Sequence, residues 1–541
     1  MKDISSTGSF VDFTLENFIY VDKTVYIPQL VKLKRVFISR PRRFGKSLTL
    51  DTIATLFETG VEPYFKGTWI YDKWTEPTYP VLRLNFLNFD KNSLEKFNNK
   101  LNSKITEFAE LNQVTTYKEK EEAEDSIDHL LEQLRLEGRQ IVILIDEYDC
   151  QMTANINNES LYKQFQEKIK SIYANIKDKF AIKFLGITGV TRLKDVSIFS
   201  VGSDIRDITN SSAYSQMIGF TRDEIKKFYI DYLKLAASYE NNCSVDDVTD
   251  TQLESMLDMM AQNYDGYCFD EDYEKKVFST WSVNKFFQTM IEKKKVQFGE
   301  YWYDNGGLPS ILVNYLKTHE LNIFEYLDKD KFLKVSSDDF KNPTALTTIN
   351  QNVLMCQTGY LTLRSDLNKT STVALGIPNG EIYKALNRLL ANNIFKGNTD
   401  ITDDYGRSLL EVGTVDDIIN LFNSALNSVS YDNYPIVSES SVQNMLKLYL
   451  LGAHQEVLSE VHEAKGRADL VVNTDNRRIV FEFKYAKNEI DAKSKLLDAV
   501  EQIKTRDYGN ILPKKNELIR IAAVFNADPK VRAFTENQIV P

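Results

Sequence analysis

Cysteine is almost absent from this sequence: Cys150, Cys243, Cys268 and Cys356 are the only four in 541 residues. They lie far apart and form no CxxC pair, which argues against a disulfide framework or zinc–cysteine site and fits a reducing cytoplasm. Histidine is as sparse, at His129, His319, His454 and His462. The last two are eight residues apart with no cysteine near, so no zinc site is expected there. With only 12 Pro and 22 Gly, long disordered or collagen-like stretches are not expected either. No run of about 18 apolar residues occurs, and Met1 to Phe10 lacks the apolar core of a signal peptide. The expectation is a cytoplasmic protein with no membrane partner.

Hydrophobic residues at 43% and charged residues at 26% are those of a globular chain. The length is too great for one hydrophobic core and suggests about three or four domains. A net charge of -11 does not suit a general nucleic-acid binder. That charge is uneven: from Leu451 onward there are 15 Lys/Arg against 14 Asp/Glu. The tail is therefore the part least repelled by phosphates.

Local patterning gives a short strand at Arg35 to Ser39, a turn-like segment to Gly45, and a helix from Lys46 to Glu58 with Leu50, Ile53 and Phe57 on one face. Further strands are expected at Pro80 to Phe86, Ile141 to Ile145 and Phe180 to Thr188, with helices in Lys91 to Arg139. Strands separated by helices predict a parallel α/β sheet. Residues 220–330 read as mostly helical, with turn-like breaks at Tyr264 to Phe269 and Tyr301 to Gly307. The tail reads as helix, strand (Ala468 to Val472), strand (Arg478 to Lys484), helix (Ala492 to Thr505), strand (Leu518 to Phe525). The expected segments are 1–218, 219–330 (a helical lid), 331–432 (a mixed connection) and 433–541.

The first constellation is Arg40-Pro-Arg-Arg-Phe-Gly45-Lys46-Ser47 between a strand and a helix, the context that gives a phosphate loop meaning. Gly45 lets the backbone approach phosphates, and successive N–H groups at the helix start face the anion. Lys46 is expected to bridge β- and γ-phosphates and Ser47 to hold magnesium. Arg40 stands where the motif normally has its first glycine, and Arg40, Arg42 and Arg43 bring three positive charges to the loop. Nucleotide contacts are expected from Arg40, Arg43, Phe44, Gly45, Lys46, Ser47, Asp146 and Thr188.

The partner motif is the apolar strand Ile141 to Ile145 running into Asp146 and Glu147. Asp146 is the expected metal carboxylate and Glu147 the group that orients and polarises water. Two adjacent carboxylates favour water activation over transfer to an acceptor, which sets a kinase aside. Thr188, ending a strand, could sense the γ-phosphate. Arg192 and Arg206 are candidate transition-state arginines, with a surface salt bridge the favoured reading for each.

The second constellation is Gly466-Arg467-Ala468-Asp469 followed by Glu482-Phe483-Lys484. Residues i and i+2 of a strand share a face, so Glu482 and Lys484 point together and Asp469 can join them from the neighbouring strand. Two carboxylates can hold Mg²⁺ or Mn²⁺, with Lys484 positioning water or offsetting negative charge. Glu460, expected on a preceding helix, is a further candidate metal ligand, and Gln502 on the following helix could aid strand positioning.

Together these motifs resemble the bacterial AAA-ATPase-like family with a C-terminal PD-(D/E)XK nuclease-superfamily domain. The similar segments are Val21 to Thr24, Arg40 to Ser47, Asp146 to Asp149, Thr188 to Val190, Ser197 to Ser200, Tyr264 to Tyr267, Trp281-Ser282, Thr358 to Leu361 and Pro378-Asn379. In the tail they are Gly466 to Asp469, Glu482 to Lys484 and Glu501 to Ile503. The resemblance makes Arg40 a family trait. It implies a P-loop NTPase parallel sheet, a mostly helical middle and a restriction-endonuclease-like α/β domain, in a prokaryotic cytoplasmic protein. It also implies ATP and Mg²⁺ as cofactors, DNA or RNA as partner, and either an ATP-regulated nuclease or a nucleotide-dependent switch with a non-cutting tail. Homo-oligomerisation stays open, because an arginine finger from a neighbour would require it.

Overall fold

The computed structural model describes the chain apart from residues 177–178, 194–203, 303–309, 317–318, 320–322, 344, 370, 396–404, 454, 464–465 and 510–516. The segment Ser197 to Ser200 and residues 303–307 of the second turn-like break lie outside the described residues. The chain divides into two compact units, Met1–Leu321 with Asp330–Ile382, and Asn322–Lys329 with Tyr383–Pro541. The phosphate loop and most of residues 219–382 thus share one unit.

The first unit is built on five parallel strands: β1 (Arg35–Ser39), β2 (Val81–Asn85), β3 (Ile141–Asp146), β4 (Ile182–Gly189) and β5 (Arg206–Asp207), in the order β2-β3-β4-β1-β5. The β3 run is apolar over its first five residues and is buried at all six positions, as a strand covered on both faces must be. Helices Lys46–Thr59, Leu94–Leu111, Ala123–Leu136 and Glu159–Ile176 occupy the connections between the strands. Helices Arg222–Phe228, Ile230–Asn241, Asp250–Tyr264 and Thr280–Lys293 follow. Thr221 and Thr249 start two of these with reciprocal capping boxes to Glu224 and Gln252. They pack around Tyr229, Leu233, Met256, Met260, Phe286 and Phe287. A small antiparallel sheet, β6 (Leu333–Ser336), β7 (Thr362–Leu363) and β8 (Thr372–Gly376), completes the unit in the order β6-β8-β7.

The second unit holds β9 (Glu456–Glu463), β10 (Gly466–Asn473), β11 (Arg477–Ala486), β12 (Glu517–Asn526) and β13 (Ala533–Val540), ordered β13-β12-β11-β10-β9. Only β11 and β12 run parallel, and the helix Glu489–Arg506 crosses between them. The strand–strand–helix–strand core agrees with the sequence reading, but β9 and β13 were not anticipated. Glu460 consequently lies on β9, not on a helix. No described helix is long and apolar enough to cross a membrane.

One buried carboxylate organises the interior of the first unit. Glu381 accepts from the Trp302 N–H at 2.7 Å and the Ser282 hydroxyl at 2.7 Å. Burial pushes its carboxyl up to about 8. A carboxyl raised above its unfolded value favours folding in its protonated form, so this contribution is full below the unfolded value and is lost as pH rises towards 8. Glu381→Gln removes the titration. Urea unfolding should show wild type losing stability relative to Glu381→Gln between about pH 5 and pH 8 and levelling off above that, by an amount on the order of a few kcal/mol. A pH-independent difference would contradict this.

Candidate functional site

The parallel register brings the ends of three adjacent strands together. β1 runs into the loop, β3 ends in Asp146 and β4 ends at Thr188 and Gly189, with Ile38 opposite Thr188. Arg43 and Gly45 take positive φ, 68° and 101°, so the loop doubles back before the helix Lys46–Thr59 starts. Lys46 is buried, its Nζ donating to the carbonyls of Arg40 (3.0 Å) and Pro41 (3.1 Å), and lies 3.7 Å from Glu147.

Asp146 joins the other two elements. One of its oxygens accepts from the Ser47 hydroxyl at 2.6 Å, and the other accepts from the Thr188 hydroxyl and from the Glu147 N–H at 3.0 Å. Ser47 and Asp146 thereby bring together hard oxygen donors of the kind Mg²⁺ takes. Glu147 follows in the left-handed region (φ 53°), a conformation uncommon for a non-glycine residue. Burial raises its carboxyl above the usual range, with Lys46 opposing the rise. The rest of the motif braces this corner. The Asp149 carboxylate accepts from the Thr191 N–H (2.7 Å) and hydroxyl (2.6 Å), and the Tyr148 hydroxyl donates to the Thr191 carbonyl. A Cβ at Gly189 would meet the Tyr148 ring at 2.4 Å, which accounts for glycine there.

Against the loop lies a cavity of about 160 Å³ lined by Tyr20, Val21, Gly45, Leu48, Met217 and Trp281 among others. The Val21 to Thr24 segment shapes its wall. Asp22 accepts from the Thr24 N–H and hydroxyl, and Lys23 donates to the Gln216 carbonyl (2.7 Å) and Glu224 (2.6 Å).

Three loop side chains turn into the protein. The Arg40 guanidinium is buried, donating to the carbonyls of Ser39 (2.9 Å), Thr209 (2.6 Å) and Tyr214 (3.5 Å) and stacking 4.1 Å over Phe269. Burial pulls it down to about 9. Arg43 donates to the carbonyls of Tyr301 and Trp302 and covers Trp281. The Phe44 ring is buried among Tyr267, Phe269 and Trp302. The charges of Arg40 and Arg43 are thus used to fasten the loop to the rest of the unit. Arg192 pairs with Asp207 and donates to the Lys341 carbonyl at 2.5 Å, in keeping with the salt-bridge reading. Arg206 is exposed.

In the second unit Glu482 and Lys484 meet at 2.8 Å on one face of β11. The register pairing Leu470 with Phe481 carries Asp469 alongside them, and the Asp469 carboxylate accepts from the Phe483 N–H at 2.8 Å. Glu482 is buried, and its second oxygen has no hydrogen-bond partner among the described residues. Burial, then the Asp469 charge, push its carboxyl up to about 7. An orphaned buried carboxylate oxygen beside a second carboxylate fits a cation. Among the described residues, however, no group of three or more His, Cys, Asp or Glu is arranged to hold a metal. The Glu460 side chain lies outside the described residues. Gln502 donates to the Tyr508 hydroxyl at 3.3 Å.

Two residues here escaped the sequence reading. Glu439, in the first turn of the helix Glu439–Gly452, lies 3.3 Å from Lys484. Arg506 donates to the Tyr508 hydroxyl at 2.8 Å, and the charges of Glu482 and Asp469 reach it. Glu439 follows a Ser438 capping signal, which marks a helix start but not its direction, and Arg506 is one cation among many in a charged helix.

The family model described as predicted AAA-ATPase matches residues 5–199, and that of the PD-(D/E)XK nuclease superfamily matches residues 437–535. An "uncharacterized protein in vnfD 5'region" of Azotobacter chroococcum mcd 1 is 26% identical over 533 residues, covering 95% of this chain and 94% of the relative. Among solved structures, Cdc6p from Pyrobaculum aerophilum overlaps 66% of this chain and 88% of its own, at 11% identity and TM-score 0.24. The Aeropyrum pernix ORC2 protein in ADPNP–ADP complexes overlaps 67% and 91%, at 10% identity and TM-score 0.25. Scores this low carry no weight for the site.

Arg40→Met keeps the bulk of the side chain and strands the carbonyls it serves, so it should cost about 1–3 kcal/mol in urea unfolding. A direct phosphate contact by Arg40 would instead leave stability intact and raise the KM for nucleotide.

Proposed function

The chain carries a predicted AAA-ATPase domain over residues 5–199 and a PD-(D/E)XK nuclease-superfamily domain over 437–535, and we propose that it is an ATP-hydrolysing protein whose tail is a metal-dependent nuclease acting on DNA or RNA. The observation that carries the ATPase half is the convergence of Ser47 and Thr188 on the Asp146 carboxylate at neighbouring strand ends. In this reading the loop N–H groups from Arg43 to Ser47 cradle the phosphates. Lys46 leaves the Arg40 and Pro41 carbonyls for the β- and γ-phosphates. Ser47 and Asp146 hold Mg²⁺, and Thr188 faces the γ-phosphate. Glu147, raised by burial, accepts a hydrogen bond from the attacking water and orients it. The cavity beside Gly45, with Tyr20, Val21 and Met217 on its wall, takes the nucleotide's base.

In the tail, Asp469 and Glu482 are the metal carboxylates, with Glu460 a further candidate ligand. When bound, Mg²⁺ or Mn²⁺ supplies a more acidic water and neutralises charge on the phosphodiester. Lys484 holds water and offsets negative charge, and Glu439 keeps that ammonium in place. The orphaned Glu482 oxygen supports this half of the reading. The net charge of -11 supports the other one, a nucleotide-dependent switch whose tail binds without cutting. The sparse cysteines keep a cytoplasmic location within the proposal.

Three proteins in one assay separate these readings. Wild type, Lys46→Ala and Glu482→Gln are incubated with plasmid, single-stranded DNA or RNA, Mg²⁺ or Mn²⁺, with and without ATP. Lys46→Ala should lose phosphate release by about 100-fold or more, and Glu482→Gln should lose cutting while releasing phosphate normally. Hydrolysis without any cleavage by wild type would favour the switch.

A further inference from the structure

The opposite edge of the first unit's sheet carries a feature that nucleotide hydrolysis does not use. At the starts of β1 and β4 a cavity of about 270 Å³ is lined by Lys32, Lys34, Lys73, Lys183, Trp74 and Glu76, with Pro28, Val31 and Thr75. Four lysines stand there against two carboxylates, Glu76 in the lining and Asp72 beside Lys73, in a chain of net charge -11. Two of the lysines are neutralised: Lys183 pairs with Glu76 at 2.6 Å, and Lys73 with Asp72 at 2.8 Å. Lys32 and Lys34 are exposed and make no ion pair among the described residues.

Their backbone is held firmly. Lys34 ends the helix Ile27–Leu33 in a left-handed conformation (φ 64°), and its carbonyl accepts from the Leu185 N–H at 2.8 Å, locking it to the start of β4. Both ammonium groups are left open to solvent, where a polyanion can reach them. The Trp74 indole N–H is buried without an acceptor among the described residues, beside the same cavity. Five-residue strands separate this edge from the phosphate loop by roughly 15 Å, so nucleotide at Gly45 cannot be the anion concerned.

We propose that this lysine-rich edge binds the phosphate backbone of a nucleic acid, with Lys32 and Lys34 as its principal contacts. The charge pattern itself selects an anion. The choice of nucleic acid over an acidic protein rests on the proposed function of the tail. Lysines offer point charges without the planar fork that reads bases, so the contact is independent of sequence and sensitive to salt. It gives the ATPase unit its own grip on the polymer.

Fluorescence anisotropy of full-length protein with a labelled single strand and a labelled duplex tests this, in EDTA and without nucleotide so that cutting plays no part. Lys32→Glu/Lys34→Glu should weaken binding about tenfold or more and lower the slope of log affinity against log salt by about 2. The charge-matched control Lys118→Glu/Lys295→Glu, at exposed sites elsewhere, should change neither by as much, and both variants should release phosphate from ATP as wild type does. Unchanged affinity and slope in Lys32→Glu/Lys34→Glu, an equal loss in the control, or no binding by wild type would each overturn the proposal. So would a labelled polyglutamate that binds as tightly through the same lysines, since the partner would then be an acidic peptide. Cleavage of the same strands by wild type with Mg²⁺ is scored in a separate reaction, so a tail that fails to cut is told apart from an edge that fails to bind.

Discussion

A guanidinium removed from water must find acceptors, because an uncompensated buried charge costs several kcal/mol. Arg40 meets that demand with three backbone carbonyls, and in doing so ties the start of the phosphate loop to residues 209 and 214. The neighbouring side chains extend the anchorage. Arg43 fastens the loop to residues 301–302, Phe44 wedges into an aromatic cluster, and Glu381 holds Trp302 from the far side. Arg40, Arg43 and Phe44 are thus used up inside the protein, while Arg42 stays half-buried.

Four of the five parallel strands were legible from apolar or alternating runs bounded by turn residues, while the two-residue β5, Arg206-Asp207, carries no such signal. Arg35 to Ser39 matches β1 end for end, and Ile141 to Ile145 misses only Asp146. Asp146 and Thr188 come together because neighbouring parallel strands finish on one edge, and the loop after β1 brings Ser47 of the following helix to them. The tail was read less fully. β9 and β13 carry mixed polar sequence at the rim of their sheet, Glu-Val-Leu-Ser-Glu-Val-His-Glu and Ala-Phe-Thr-Glu-Asn-Gln-Ile-Val, with no clean alternation. Edge strands need bury only part of a face, so their pattern is weak.

Side-chain direction was the other thing hidden. Nothing in Arg-Pro-Arg-Arg-Phe-Gly-Lys-Ser says that two arginines turn inward to carbonyls supplied by residues 170 to 260 positions away. Nor does the chain announce that Glu439 and Lys484, 45 residues apart, come within 3.3 Å. Both are long-range polar contacts. They depend on packing that no local period encodes.

Glu147 sits at φ 53°, a backbone shape in which glycine would be at ease and asparagine tolerated. The chain keeps there a half-buried carboxylate whose backbone and charge are both unfavourable. On the role proposed for Glu147, this is a place where selection for folding and selection for chemistry pull apart. A population of variants enriched only for thermal endurance should drift to Gly or Asn there, and its winners would be sturdier proteins that had forgotten their water.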